Sequence, residues 1–456
     1  MRGHSRSRIL VVGKDARTDA IAAALAASPS HHELFALSEL SDPPGLLRVC
    51  EEVRCGSLTD TAWLGAETSD LAPDLVVVGP EEPLEAGYVN ALEAMGIPAF
   101  GPPRQLARIE SSKSWARELL DKYEIPGNPA FRYFEATEGL RSYMEELADF
   151  VVKPDGLTAG KGVKVFGEHL ESVDQAFDYA REVLQDHPRV QIEERLEGQE
   201  FSLQTITDGE SVIHCPLVQD HKRAFDGDQG PNTGGMGSYS CADFSLPFLS
   251  DADVLQAHMI SEKVIEALRS ETGHPYRGVL YGGFIATAEG IRLIEYNARF
   301  GDPEAMNVLP LLDADFAELC FAVAEGTLGE TTWSFQPRAT VCKYVVPKAY
   351  PAKSSAANLE ISPAELDDFG ARWFWAACEQ HGEDVFMTSS RTGAFVGIGS
   401  SLNQAEAAAE EAAQELEQGR QIRHRCDIGT EPLIRKRIEH MQQLRGAEYR
   451  PHASSF

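Results

Sequence analysis

The sequence predicts a multidomain protein that joins α/β and α+β units, and three observations lead there. Two apolar runs ending in glycine, RILVVG at 8–13 and DLVVVG at 74–79, are each followed by a helical pattern. That alternation of strand, turn and helix implies a parallel sheet with helices on its faces. Between about 150 and 218, strand patterns dominate and only some are separated by helical segments. Finally, 456 residues exceed what one core holds, and ordinary domain sizes give about three to four units.

The elements follow in chain order. A helical pattern over 19–27 follows the first strand, and a short strand at 97–100 closes an amino-terminal α/β domain expected over 1–104. A mixed α+β domain is expected over 105–335, with a subdomain at about 128–196. Its strands read FVVKP, GVKVF, VQIEERL, QEFSLQTI and SVIHCPLV, with a helix over 171–185. Composition shifts near Pro337 to RATVCKYVVP, then to short strands and an Ala/Glu-rich helix at 403–417 expected to present a solvated face. This defines a small α+β domain over 336–445, and the aperiodic tail 446–456 is expected to fray.

Composition excludes several function classes. With 43% hydrophobic and 25% charged residues the chain is globular, and its net charge of -30 repels nucleic acid and anionic membrane. An anionic ligand must therefore meet a local basic pocket. No stretch approaches the roughly 20 apolar residues of a membrane span, and residues 1–7 are basic without the apolar core of a signal peptide. A cytoplasmic protein acting on small molecules, as a monomer or weak homodimer, is expected. Eight cysteines without a C-x-x-C pair read as reduced thiols rather than zinc or redox groups.

Chemistry concentrates in three stretches. QDHKRAFDGDQGPNTGGMGSYS at 219–240 combines His221, Lys222 and Arg223 for an anion with Asp220, Asp226 and Asp228 for a cation or amine. Its Gly234, Gly235 and Gly237 allow a ligand to approach the backbone. DGLTAGKGV at 155–163 is a glycine turn between two strand patterns in which Lys161 can reach a phosphate oxygen, although a plain hairpin turn fits equally well. It lacks the G-x-x-x-x-G-K-[ST] pattern of a P-loop. Lys153 lies in an apolar run, where an unpaired ammonium is costly, and a bound anion is the favoured explanation. In RLIEYNARF at 292–300 the strand period puts Ile294 and Tyr296 on one face and Glu295, Asn297 and Arg299 on the other. Glu295 and Asn297 offer oxygen ligands to a hard cation, and Arg299 can neutralise a phosphoryl group in transfer.

These stretches, with SSKSWARELL at 111–120, VVKPDGLTAGKGVKV at 151–165, IEYNARFGDPEAMNVLP at 294–310, VCKYVVPKAYPA at 341–352 and DIGT at 427–430, resemble the glycinamide ribonucleotide synthetase (phosphoribosylamine-glycine ligase) family of archaeal type. The resemblance implies the ATP-grasp fold and ATP-dependent ligation of glycine to 5-phosphoribosylamine in purine biosynthesis, with Mg²⁺ or Mn²⁺. It implies that Lys113, Lys153, Gly160, Lys161 and Gly162 cover the phosphates. Glu194 and Leu196 would read the adenine edge through their backbone, with Glu193 beside the exocyclic amine and Glu200 against the ribose. Substrate contacts are implied for Asp220, His221, Lys222, Arg223, Asn232, Thr233, Gly234, Gly235, Met236 and Gly237, and for Glu81 in GPEEPLEAG. Lys161, Arg299 and Asp302 are implied in catalysis, Asp302 and Glu304 near the acceptor, and Glu295 and Asn297 at the metal.

The resemblance weakens at the first turn. VVGKDARTDA keeps Gly13, Arg17 and Ala20 where the family has a glycine-rich turn and Arg-Glu-His-Ala, and Asp15 and Asp19 there are expected to repel a phosphate. A ligase paralogue with another amine acceptor, or a non-catalytic nucleotide-binding protein, are the alternatives.

Overall fold

The computed structural model describes residues 6–157, 162–353, 357–446 and 449–451. The amino-terminal strands β1 (Arg8–Val12), β2 (Glu33–Ser38), β3 (Glu52–Cys55), β4 (Leu75–Val78) and β5 (Ala99–Phe100) form one sheet in the order β3-β2-β1-β4-β5. Every pairing in it is parallel. All four residues of β4 and the last four of β1 are buried, which is why both read as unbroken apolar runs.

Two four-stranded antiparallel sheets follow. In the first, Phe131–Phe134 pairs with Val190–Glu194, which pairs with Phe150–Pro154, which pairs with Lys164–Val165. It has its own core, including Phe134, Met144, Phe150, Val152, Val190 and Ile192. In the second, Val212–His214, Gln199–Thr207, Gly278–Thr287 and Gly290–Asn297 lie side by side. A long helix, Asp251–Thr272, packs beside it and starts at a capping box in which Ser250 and Asp253 satisfy each other's backbone.

The carboxy-terminal sheet reaches back to strands before residue 335. Its strands Ala339–Pro347, Gly393–Gly399 and Arg372–Trp375 are continued by Gly237–Ser240 and Gln219–Asp220, the two ends of the charged loop. The loop is thereby built on the edge of the last domain. All eight cysteines are free thiols. No helix among the described residues is long and apolar enough to cross a membrane.

Two expectations change. The helix Leu402–Glu417 buries Leu402, Ala405, Ala409, Ala412, Ala413 and Leu416, and its charged side is not simply solvated. Glu406 and Glu410 pair with the completely buried Lys343. Of the tail expected to fray, Tyr449 is anchored, its hydroxyl donating to Phe248 O and Asp253 Oδ2, both at 3.0 Å.

The same helix sets a pH dependence. His424, only 4% exposed in its side chain, has ring nitrogens 2.8 Å from Glu417 Oε1 and 3.1 Å from Glu410 Oε2. Burial lowers its pKa, but the two carboxylates outweigh burial and hold it at about 9. The unfolded value is about 6.5, so the stabilisation is complete below that pH and is lost as pH rises through the folded value. We expect stability to fall by roughly 2–3 kcal/mol across this window. The step should be missing in His424→Gln; superimposable urea midpoints of the two proteins from pH 6 to pH 9.5 would refute it.

Candidate active site

In an open parallel sheet, ligands bind beyond the carboxyl ends of the strands where strand order reverses. Here that point lies between β1 and β4, whose ends lead to Arg17 and Glu81. Arg17 is 4% exposed; its Nη1 donates to Phe300 O at 2.8 Å and its Nη2 lies 3.6 Å from Glu81 Oε2. Glu81 in turn accepts from Arg299 Nε at 3.0 Å, and Arg299 Nη2 reaches Glu110 Oε1 at 2.9 Å. A chain of buried and half-buried charges thus runs from the amino-terminal crevice to the strand Gly290–Asn297. Burial pushes the Glu110 carboxyl upward, with Arg299 offsetting part of the shift.

The acids expected to repel a phosphate are engaged by the fold instead. Asp15 caps the helix Ala16–Ala26, accepting from Thr18 N at 2.9 Å, and pairs with Arg17. Despite its burial, Arg17 holds its carboxyl well below the usual range. Asp19 is 2% exposed and accepts the Trp375 N–H at 2.7 Å, tying the first helix to the carboxy-terminal sheet. Burial pushes its pKa up to about 6, against the opposing field of Arg48.

The strand carrying Glu295 and Asn297 pairs with Gly278–Thr287 so that Gly283 stands opposite Glu295. The register shifts there by one residue, leaving Ile294 unpaired. Buried positions are therefore Ile291, Leu293, Tyr296 and Ala298, and Ile294 does not share a regular face with Tyr296 as strict alternation predicts. Glu295 has no ion-pair partner within 4.0 Å among the described residues. Burial raises its pKa, yet the combined field of Lys222, Lys113, Lys153 and Arg299 leaves it below its ordinary value. These cations come from four separate segments and converge on one carboxylate.

The Asn297 amide takes the orientation in which its nitrogen donates to Glu110 Oε1 at 3.0 Å and Tyr296 O at 3.2 Å, turning its oxygen away from Glu110. Among the described residues no three His, Cys, Asp or Glu side chains form a metal cluster. The donor set of one carboxylate and one amide oxygen fits Mg²⁺ or Mn²⁺ completed by phosphate and water, and fits no all-protein cage.

Around the nucleotide cleft, Lys113 Nζ donates to Gly156 O at 2.6 Å. The sequence reading explains a buried Lys153 by a bound anion; the structure supplies an internal partner, Glu193 Oε2 at 2.5 Å. Glu193 also accepts from Arg117 Nε at 2.7 Å and Nη2, and burial is outweighed by these two cations, so its pKa falls to about 2. Both of its oxygens are thus engaged by internal cations. Glu194 accepts from Ala130 N at 2.8 Å, and Leu196 lies in the irregular link between Val190–Glu194 and Gln199–Thr207. Glu200 faces Lys222, Oε2 to Nζ being 3.1 Å. Gly160 and Lys161 lie outside the described residues; Gly162 accepts from the Tyr179 hydroxyl at 2.7 Å.

The loop 219–240 separates into scaffold and surface. His221 is 2% exposed, and burial, then Arg437 and Arg425, lowers it to about 3, so it is neutral and offers an anion no positive charge. Met236 is fully buried, and Gly237 lets the Ala339–Pro347 strand approach: a Cβ there would lie 2.2 Å from Cys342 O. These three support the loop. Lys222 and Thr233 stay at its cleft side, Thr233 N donating to Lys222 O at 2.7 Å. Asn232 pairs with Arg223, which binds Glu168 of the first antiparallel sheet's domain. The Asp220 carboxyl is driven well upward by burial and by Glu304. Gly234 and Gly235 offer carbonyls to Arg391 Nη1 at 2.7 and 3.0 Å. Arg391 also pairs with Asp302 at 3.1 Å, and the Tyr344 hydroxyl donates to the same Asp302 oxygen at 2.5 Å. Glu304 accepts from the Tyr281 hydroxyl at 2.8 Å. Neither Arg391 nor Glu110 was legible in sequence: Arg391 lies in an irregular link between strands and Glu110 in a short helix, and each acquires its neighbours only from the tertiary fold.

Three models of phosphoribosylglycinamide synthetase match this chain: the N domain at 7–110, the ATP-grasp (A) domain at 111–305 and the C domain at 340–431. A phosphoribosylamine-glycine ligase of Methanopyrus kandleri is 46% identical over 449 residues, covering 96% of this chain and 99% of the relative. One from Methanothermobacter thermautotrophicus is 45% identical over 444 residues, covering 96% and 100%. Among solved structures, a phosphoribosylamine-glycine ligase from Thermotoga maritima superposes with a TM-score of 0.73 at 24% identity, covering 92% of this chain and 99% of that one. An L-amino acid ligase from Bacillus licheniformis shares the fold with a TM-score of 0.61 at 16% identity, over 92% and 98%.

Proposed function

The chain belongs to the phosphoribosylglycinamide synthetase family, and from that premise we propose how its residues carry out ATP-dependent ligation of glycine to 5-phosphoribosylamine, the purine-biosynthetic reaction. The enzyme is an ATP-grasp ligase. The observation that carries the site assignment is the convergence of Lys113, Lys153, Lys222 and Arg299 on Glu295.

A glycine carboxylate oxygen attacks the γ-phosphorus of ATP, forming glycyl phosphate as the bond to ADP breaks. The amine nitrogen of phosphoribosylamine then attacks the glycyl carbonyl carbon; the C–N bond forms, phosphate leaves, and the nitrogen loses a proton. No side-chain nucleophile is needed, so catalysis is positioning and charge stabilisation. Lys113 and Lys153 hold the phosphates, with Lys161 and the glycines of 156–162 as cover. Arg299, oriented by Glu81 and Glu110, neutralises the phosphoryl group in transfer. Glu295 and Asn297 would hold Mg²⁺ or Mn²⁺, which when bound spreads the negative charge of the triphosphate. Lys222, Thr233 and the carbonyl-lined turn at Gly234–Gly235 face the glycine and acyl phosphate. Arg17 and Glu81 form the crevice for the amine substrate. The engagement of Asp15 and Asp19 by the fold removes the objection to an anionic substrate there.

The test is phosphate release with freshly generated phosphoribosylamine. Release requiring ATP, glycine and that amine together is the expected result; turnover with a different amine and none with phosphoribosylamine would reject it.

A further inference from the structure

The tip of the loop 219–240 is a two-stranded hairpin, Arg223–Phe225 with Gln229–Asn232, that pairs with no other strand among the described residues. Such a hairpin is marginal by itself. A segment far along the chain grips it. Arg425 is completely buried, and a buried arginine persists only where its whole fork is matched. Its Nε and Nη2 donate to Asp427 Oδ1 and Oδ2 at 2.9 and 2.8 Å, Nη2 also reaches Asp228 Oδ1 at 3.1 Å, and Nη1 donates to Arg223 O at 3.0 Å.

Its neighbours extend the grip. Asp427 Oδ2 accepts from Gly227 N at 2.8 Å, and Asp226 Oδ1 accepts from Cys426 N at 3.1 Å. Arg423 donates to Ala224 O at 2.8 Å and its guanidinium lies 4.7 Å from the Phe225 ring centroid. Arg437 takes the second Asp228 oxygen. Every residue from 223 to 228 is thereby held by residues 423–437, and Arg425 alone contacts both ends of that span.

We propose that Arg425 is a positioning residue for the substrate loop. By fixing the Arg223 carbonyl and the Asp228 carboxylate it sets the hairpin, and through the Lys222–Thr233 contact at the hairpin's base it sets the cleft side of the loop. The proposal rests on the reading that this loop holds glycine and the acyl phosphate. Arg425 contacts the hairpin and Asp427 and none of the residues assigned to the nucleotide, so its removal acts on the loop and spares ATP binding.

The experiment compares wild type with Arg425→Met, Arg425→Lys and Asp228→Asn. It measures kcat, separate KM values for glycine, phosphoribosylamine and ATP, and amide exchange over 223–233. For Arg425→Met we expect a KM for glycine or the amine raised about tenfold, an ATP KM within about threefold, and faster exchange confined to the loop. Arg425→Lys, which keeps the charge but loses the fork, should recover part of the KM change, and Asp228→Asn should show the same pattern more weakly. Unchanged KM values and exchange in Arg425→Met, or equal losses for all three substrates with a lowered unfolding temperature, would overturn the proposal. If the arginine variants do not fold, Asp228→Asn decides by the same criteria. Wild-type protein without turnover on glycine and phosphoribosylamine would reject the functional reading instead, while the exchange comparison still tests the grip of Arg425.

Discussion

Glu295→Gln should lower glycine-dependent ADP formation by about 10³-fold or more while leaving far-UV circular dichroism unchanged; a loss of this size corresponds to roughly 4 kcal/mol of transition-state stabilisation. The substitution keeps the shape and removes one charge. That charge is the one on which Lys222, Lys113, Lys153 and Arg299 act together, and it has no ion-pair partner within 4.0 Å among the described residues. It is therefore available to a cation, and no local salt bridge is lost with it. Without it, four cations surround a neutral amide, and the proposed metal has only Asn297 from the protein. The expected signature has two parts: loss of ADP formation, and weaker binding of Mn²⁺ in the presence of ATP, followed by electron paramagnetic resonance. Activity within tenfold of wild type, with metal binding intact, would remove Glu295 from the metal site.

Glu193→Ala should destabilise the protein by about 3–5 kcal/mol, the usual consequence of removing one partner from a buried ionic cluster. Glu193 is 3% exposed and holds both Arg117 and Lys153, themselves 3% and 8% exposed. Removing it strands two cations where water reaches neither easily. The double variant Glu193→Ala with Lys153→Met should be less unstable than the sum of the single changes, since it no longer leaves an uncompensated ammonium. Urea denaturation of the three variants measures this. Strict additivity would mean that Lys153 does not depend on Glu193. The cluster also bears on function: Glu193 occupies one side of the Lys153 ammonium, so the remaining N–H groups are directed by a fixed carboxylate rather than by the ligand.

Much of the architecture is readable from local pattern. The runs RILVVG and DLVVVG became β1 and β4 because strands buried on both faces need unbroken apolar residues, and no tertiary information is required to see that. The helix over 403–417 and the strands around Phe150 and Val190 follow from period and composition in the same way. The convergence at Glu295 was legible differently: the residue types were chemically conspicuous, but their meeting depends on the tertiary fold, which brings the fields of positions 113, 153, 222 and 299 to one carboxylate. Where alternation failed, at Ile294, the cause was a bulge, and one extra residue in a ladder leaves no mark in the pattern of hydrophobicity.

Taken by itself, the sequence determined the parallel amino-terminal sheet, the mixed domains after it and the chemical character of the loop 219–240, because periodicity and residue type are local properties. The tertiary structure alone decided which charges are spent on the fold and which remain for chemistry. In one dimension Asp15 and Asp19 look like charges that repel an anion, and Glu193 and His221 look like ligand contacts; the three acids are engaged by internal partners, and His221 is buried and neutral. Arg391 and Arg425 carry no signal in the sequence, and they clamp the loop. A charge takes its role from its desolvation and from the opposite charges within a few ångströms, and chain folding, not sequence spacing, sets both.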